Sequence, residues 1–209
     1  WNLCNEKLHE DSMSARNLIR QSNVAVVCTT DDPIDSLEWH KAIAADNSFD
    51  VKVLPAWRPD KAMYVEKPDY LDYVKVLENV SGIKIDSFSS LIDALNNRMD
   101  FFEANGCKVS DHGLLYVMYE AASENEIDDI YKKRLGGRIL SEIEEAKFKT
   151  AFMIEMGKAY AKKNWVMQLH FGVQRDLNKK IFNTIGADAG IDAINTFSSS
   201  MQLGMFLNA

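Results

Sequence analysis

Trp165-Val166-Met167-Gln168-Leu169-His170 alternates along its length. Trp165, Met167 and Leu169 share one side of an extended chain, and Val166, Gln168 and His170 share the other. Its reading is a strand whose apolar side packs on a helical layer, while Gln168 and His170 face the interior of a barrel, with His170 at the mouth. Three earlier runs, 23–30, 50–55 and 106–111, are also short, apolar or β-branched, and read as strands. Between them the spacing predicts helices over 14–21, 36–45, 70–79, 88–104, 126–134 and 142–163. Start signals stand where such helices need them: Asp35 or Ser36, Asp86 or Ser87, and Ser141 with Glu144 three residues on. Asn105-Gly106 supplies a left-handed stop after Ala104. Helices that link successive strands imply right-handed crossovers and a parallel sheet, so the fold class is α/β.

Such a sheet is either open and doubly wound or an arc of a (β/α)8 barrel. The open form with a nucleotide site calls for a glycine-rich turn after the first strand. The residues there are Thr29-Thr-Asp-Asp-Pro33, which cradle no phosphate. Polar groups gather instead where each strand ends: Asp31 and Asp32, then Arg58, then Asp111 and His112, then His170. A barrel keeps its chemistry on that face. Asp111 and His112 point to opposite sides of their strand, and alternation leaves either one open as the inward residue.

Composition narrows the function. The 209 residues are 46% hydrophobic and 26% charged, an ordinary globular mix for one domain or at most two. A net charge of −7 is the wrong sign for a partner rich in phosphates, so nucleic acid is not expected. No apolar run reaches the ~20 residues that span a bilayer, no secretory leader is legible, and a cytoplasmic protein without a membrane partner is the expectation. Cys4, Cys28 and Cys107 are too far apart for a zinc knuckle. An opening on Trp1 and an apolar close from Ser200 to Ala209 read as a segment cut from a longer protein.

Four strings carry a resemblance: Cys28-Thr-Thr-Asp-Asp-Pro33 with Trp39-His-Lys41; Leu54-Pro-Ala-Trp-Arg-Pro-Asp-Lys61; Gly106-Cys-Lys-Val-Ser-Asp-His-Gly113; and Trp165-Val-Met-Gln-Leu-His-Phe-Gly172 with Arg175. In this order they resemble the uronate isomerase family of the amidohydrolase superfamily, whose members are metal-dependent (β/α)8 barrels. The likeness runs from the Leu18 region to the 186–192 stretch. It implies that residues 1–209 form a single partial barrel domain, strands two to five of the complete fold. It implies interconversion of aldose and ketose hexuronates, glucuronate with fructuronate and galacturonate with tagaturonate, through an enediol. Arg58, Asp111, His170 and Arg175 fall at the family's active-site positions. The resemblance gives His170 and Asp111 catalytic roles, near the carbonyl end or a metal-bound water and at the sugar hydroxyls, and gives Arg58 and Arg175 to substrate binding.

A divalent metal such as zinc is implied as well. Its His-x-His and Asp ligands are expected outside this segment, because His9, His40, His112 and His170 include no pair two apart. The segment alone is expected to be inactive, and a homo-oligomer stays open. Other residues read as structural: Asp31 and Asp32 as a turn, His9 and His40 within helices, Cys28 and Cys107 as small buried hydrophobes, and 142–149 as a solvated helix face. Two alternatives remain beside the isomerase. One is a metal-dependent hydrolase on the same scaffold, and the other is a non-enzymatic half-barrel that assembles with a partner chain.

Overall fold

A computed structural model describes residues 1–209. Two short helices, α1 (Asn2–Leu8) and α2 (Ala15–Gln21), precede β1 (Val26–Cys28), α3 (Glu38–Ala44) and β2 (Lys52–Leu54). Helices α4 (Asp60–Met63), α5 (Tyr70–Ser81) and α6 (Phe88–Ala104) follow, then β3 (Val109–Leu114). Next come α7 (Glu124–Leu135), α8 (Glu142–Lys163) and β4 (Val166–Phe171). The chain closes with β5 (Val173–Gln174), α9 (Lys179–Ile185), β6 (Ala193–Ile194) and α10 (Ser200–Leu207).

β1 pairs parallel with β2, Val26 opposite Lys52 and Cys28 opposite Leu54, and β3 pairs parallel with β4 from Val109 opposite Val166 to Leu114 opposite Phe171. Trp57 joins the two pairs through parallel bridges to Asp31 and Ser110. Its N–H donates to the Val109 carbonyl at 3.0 Å, and its own carbonyl accepts from Asp111 N–H at 2.8 Å. The four strands expected from the sequence therefore lie parallel in chain order, with no reversal at a switch point. β5 and β6 form an antiparallel ribbon that the sequence did not signal.

Helix burial follows spacing. In α8, Phe148, Phe152, Met156 and Tyr160 recur every four residues and face a core cluster of 28 buried side chains, where α6 adds Leu91, Leu95, Met99 and Phe102. Each such side chain contributes on the order of 1.5–3 kcal/mol by leaving water. The Trp57 ring meets Phe102 edge-on at 4.9 Å between centroids, and Trp165 at 6.4 Å. Trp57 thus links the sheet to the helical layer at the point where the two strand pairs meet.

The capping box expected at Ser141 forms, and a second one forms at Ser87. Ser87, rather than Asp86, caps α6 with Ser90 as its reciprocal partner, and Ser141 caps α8 with Glu144. Other boundaries differ for local reasons. The helix expected from 36 starts at Glu38, because Leu37 takes a left-handed φ of 53° and the Asp35 carboxylate accepts the Asp32 N–H at 2.8 Å. The strand expected over 106–111 runs from Val109 to Leu114 instead, because Gly106, at φ 92°, belongs to the turn that ends α6. Cys28 is exposed rather than buried. Cys107 is buried ahead of β3, and burial pushes its thiol up to about 11. Lys149 also departs from the solvated face expected for 142–149, since it is buried against Glu66 at 2.8 Å.

Two buried arginines hold the loops that follow the first two strands. Arg98 donates to the Pro33 and Asp35 carbonyls at 2.7 and 2.9 Å, and Arg134 donates to the Val65 and Lys67 carbonyls at 2.6 and 3.0 Å. Such charge-assisted bonds satisfy loop carbonyls that have no ladder partner. No helix is long and apolar enough to cross a membrane.

Candidate active site

The β3–β4 register brings two side chains together and needs a third position to have none. Asp111 stands opposite Gln168 and Gly113 opposite His170, so all four point to the same face. His112 points the other way. It is fully buried, and its Nε2 lies 3.0 Å from the Tyr160 hydroxyl. Burial drives its imidazole pKa down to about 3. The choice that alternation leaves open thus falls to Asp111 as the residue facing the site.

His170 Nδ1 lies 2.7 Å from Asp111 Oδ1, an oxygen that also accepts from Gln168 Nε2 at 3.2 Å. His170 Nε2 lies 3.4 Å from Arg58 Nη2. A guanidinium has only donors and a carboxylate only acceptors. The network therefore assigns the ring proton to Nδ1 and leaves the lone pair on Nε2. Arg58 Nη1 is 3.5 Å from Asp111 Oδ2, while its Nε donates to Asp60 Oδ2 at 2.8 Å. Two carboxylates share one guanidinium.

Gly113 makes this packing possible. A Cβ there would lie 2.6 Å from Arg58 Nη2 and 2.9 Å from His170 Nε2, inside the contact distance of either.

A cavity of about 380 Å³ opens beside the cluster, lined by Arg58, Asp60, Tyr64, Gly113, His170 and Arg175 among others. Arg58, Asp111 and His170 touch one another, whereas Arg175 stands in the cavity wall after β5 without contacting them. Arg175 Nη1 pairs with Asp192 at 2.6 Å and with Asp188 at 3.6 Å. The shorter of the two bonds goes to Asp192.

Asp60 and Tyr64 are site residues that sequence reasoning missed. Asp60 sits within the Leu54–Lys61 string, two residues beyond Arg58, so its closeness to Arg58 was legible. Its bond to Gly113 N–H, at 3.2 Å, links segments 53 residues apart and was not. Burial raises the Asp60 carboxyl pKa, against the lowering pull of Arg58. Burial also tends to lower the Arg58 pKa, but the hydrogen bond and charge of Asp60 outweigh it and leave it raised. Tyr64, its phenol pushed up by burial and then by Asp60, stays protonated and donates to the Gly113 carbonyl.

A second polar knot lies behind the site and is structural. Asp31 Oδ2 accepts from the Thr29 hydroxyl at 2.6 Å and from Ala56 N–H at 3.2 Å, and the Asp31 carbonyl accepts Arg58 N–H at 2.9 Å. His40 Nε2 joins it 2.7 Å from Thr29 Oγ1. Together these bonds fix the backbone that carries Arg58.

No group of three or more His, Cys, Asp or Glu side chains is close enough to hold a metal ion. Asp111 and His170 are bonded to each other, so the residues present do not by themselves fit a metal centre.

The family model of glucuronate isomerase matches residues 1–209. A uronate isomerase of Lachnospira eligens is 61% identical over 209 residues, which are 100% of this chain and 45% of that protein. The crystal structure of a uronate isomerase from Thermotoga maritima superposes with a TM-score of 0.91 at 34% identity, over 100% of this chain and 46% of that one. A glucuronate isomerase from Caulobacter crescentus superposes at 0.89 with 25% identity, over 99% of this chain and 43% of that one. The chain thus spans less than half the length of these relatives. The matches cover 99–100% of it and it shares their α/β fold: it belongs to the glucuronate isomerase family.

Proposed function

We propose that the complete protein carrying residues 1–209 is an aldose–ketose isomerase of hexuronates, interconverting glucuronate with fructuronate and galacturonate with tagaturonate. The observation that supports this most is that Asp111 holds His170 and Arg58, which line one cavity beside the carboxyl ends of β2, β3 and β4. At about 380 Å³, that cavity is within the range that holds small ligands.

Isomerisation moves one proton from C2 to C1 and another between the two oxygens. His170 Nε2, whose lone pair meets Arg58 Nη2 at the wall of the cavity, accepts such a proton in place of that contact and returns it. Asp111 holds the ring by Nδ1–H and stabilises the imidazolium while it exists. Arg58, 3.4 Å away, favours the return of that proton by like-charge repulsion. Arg175 offers a planar fork to the substrate carboxylate, in competition with Asp192.

On this reading residues 1–209 are strands two to five of a (β/α)8 barrel, and the protein works in the cytoplasm. The divalent metal implied by the resemblance takes its ligands from outside these residues, and the segment alone turns over no hexuronate. The test is an assay of the complete protein with glucuronate and galacturonate, and in parallel with amide and ester substrates. Ketose formation supports the isomerase. Hydrolysis without ketose formation would replace it with the hydrolase alternative.

A further inference from the structure

We propose that Asp60 is a positioning residue for this site: its carboxylate fixes the plane of the Arg58 guanidinium and ties it to Gly113, so that Arg58 presents Nη1 to Asp111 and Nη2 to His170. The inference rests on the isomerase reading above and concerns how that site is held.

Three contacts carry it. Asp60 Oδ2 accepts Arg58 Nε at 2.8 Å, and the Asp60 carboxylate accepts Gly113 N–H at 3.3 Å through Oδ1 and 3.2 Å through Oδ2. The Gly113 Cα, bare of a side chain, faces the same three groups: Arg58 Nη2, His170 Nε2 and Asp60 Oδ2. One carboxylate thus joins the start of α4 to the end of β3 beside Arg58. A guanidinium bonded through Nε cannot turn about its own axis, so its two remaining nitrogens take fixed directions. Without Asp60 the nearest carboxylate left to Arg58 is Asp111, now 3.5 Å away. A paired fork-on-fork contact there would draw Asp111 from the 2.7 Å bond that orients His170.

The ordinary explanation, an acidic residue favoured at a helix start, is weak here because α4 has only 4 residues and little dipole. The location adds weight, since Asp60 is half-buried in the wall of the cavity rather than set on the open surface.

A double-mutant cycle in the complete protein tests the proposal, with kcat and KM for glucuronate read in the parent, Asp60→Asn, Arg58→Met and the double variant. Asparagine keeps the shape but turns an acceptor into a donor, or removes the charge, opposite Arg58 Nε. Asp60→Asn should lower kcat by about 10- to 100-fold, the scale of a misplacement of roughly 1 Å, with KM moving less than about threefold. In the Arg58→Met background the same change should cost nothing further, within about twofold, because Asp60 acts through Arg58. An equal loss in both backgrounds would overturn the proposal and make Asp60 a direct sugar contact or a support of the fold. So would a parent-like kcat in Asp60→Asn. Should Asp60→Asn alone fail to fold, Arg58→Met against the double variant decides: equal activity supports the proposal and a further loss overturns it. A parent protein with no hexuronate turnover would overturn the isomerase reading, and this inference with it.

Discussion

Asp111 holds His170 by one ring nitrogen, Nδ1 to Oδ1 at 2.7 Å, and so leaves the other nitrogen, 3.4 Å from Arg58, as the one able to accept a proton. Asp111→Asn keeps the size of the side chain and removes the charge that fixes this orientation. In the complete protein we expect kcat for hexuronate to fall by about 10²- to 10⁴-fold, the usual worth of a positioned acid–base group. Steady-state kinetics beside a thermal melt check this. A kcat within threefold of the parent would take proton transfer away from the pair.

Gly113→Ala probes the same contact from the backbone side. The new Cβ would stand 2.6 Å from Arg58 Nη2 and 2.9 Å from His170 Nε2, so both side chains must move. Because they border the cavity, they can move into it. Activity should therefore drop about 100-fold or more, while stability falls by roughly 1–3 kcal/mol, the ordinary cost of overpacking. Unfolding by urea and turnover, measured on one preparation, separate the two effects. Unchanged turnover would mean that the Arg58–His170 arrangement is not needed for chemistry.

Arg175 has two roles to choose between. As a substrate fork it loses on the order of 2–5 kcal/mol of transition-state binding when its planar group is removed, whereas an exposed pair with Asp192 is worth about 0–1 kcal/mol. Arg175→Lys retains the charge and removes the fork. The expected result is a large loss in kcat/KM for glucuronate with a melting temperature nearly unchanged. Normal turnover would confine Arg175 to its bonds with Asp192 and Asp188.

Buried His112 should leave its mark on stability. Its folded pKa, driven down to about 3 by burial, lies below the 6.5 of an unfolded histidine. Between those values the unfolded chain binds a proton that the folded chain refuses. Stability is thus lost as pH falls through this window, by up to about 1.4 kcal/mol per pH unit, and this contribution is flat above it. His112→Gln removes that titration, so stability measured from pH 7 to pH 5 should fall less steeply in the variant. Parallel curves would show that His112 is not held neutral.

Much of this is legible in the sequence itself. Residues 88–104 and 142–163 form the expected helices because long periodic stretches with serine caps satisfy their own hydrogen bonds locally. Alternation in β4 put Met167 and Leu169 against the core and Gln168 and His170 on the other face, as the structure has them. Strand limits were harder, because they depend on partners. β1 spans only Val26–Cys28 after Asn23 turns at φ 58°, and β3 is displaced toward the His112-Gly113-Leu114 end by the register it takes with β4. The choice between Asp111 and His112 needed that register as well. Asp60 and Tyr64 escaped notice because the bonds that define them reach Gly113, 53 and 49 residues away, and no local pattern encodes such a meeting.

The cavity between Arg58, His170 and Arg175 is the central claim, and a crystal structure of the complete protein with a bound hexuronate tests it most directly. We expect the sugar in that cavity, with its C1–C2 end within hydrogen-bond distance of His170 Nε2 and its carboxylate on a guanidinium of Arg175 or Arg58. A hexuronate bound elsewhere on the protein, with His170 still closed on Arg58 and no sugar beside it, would contradict the account.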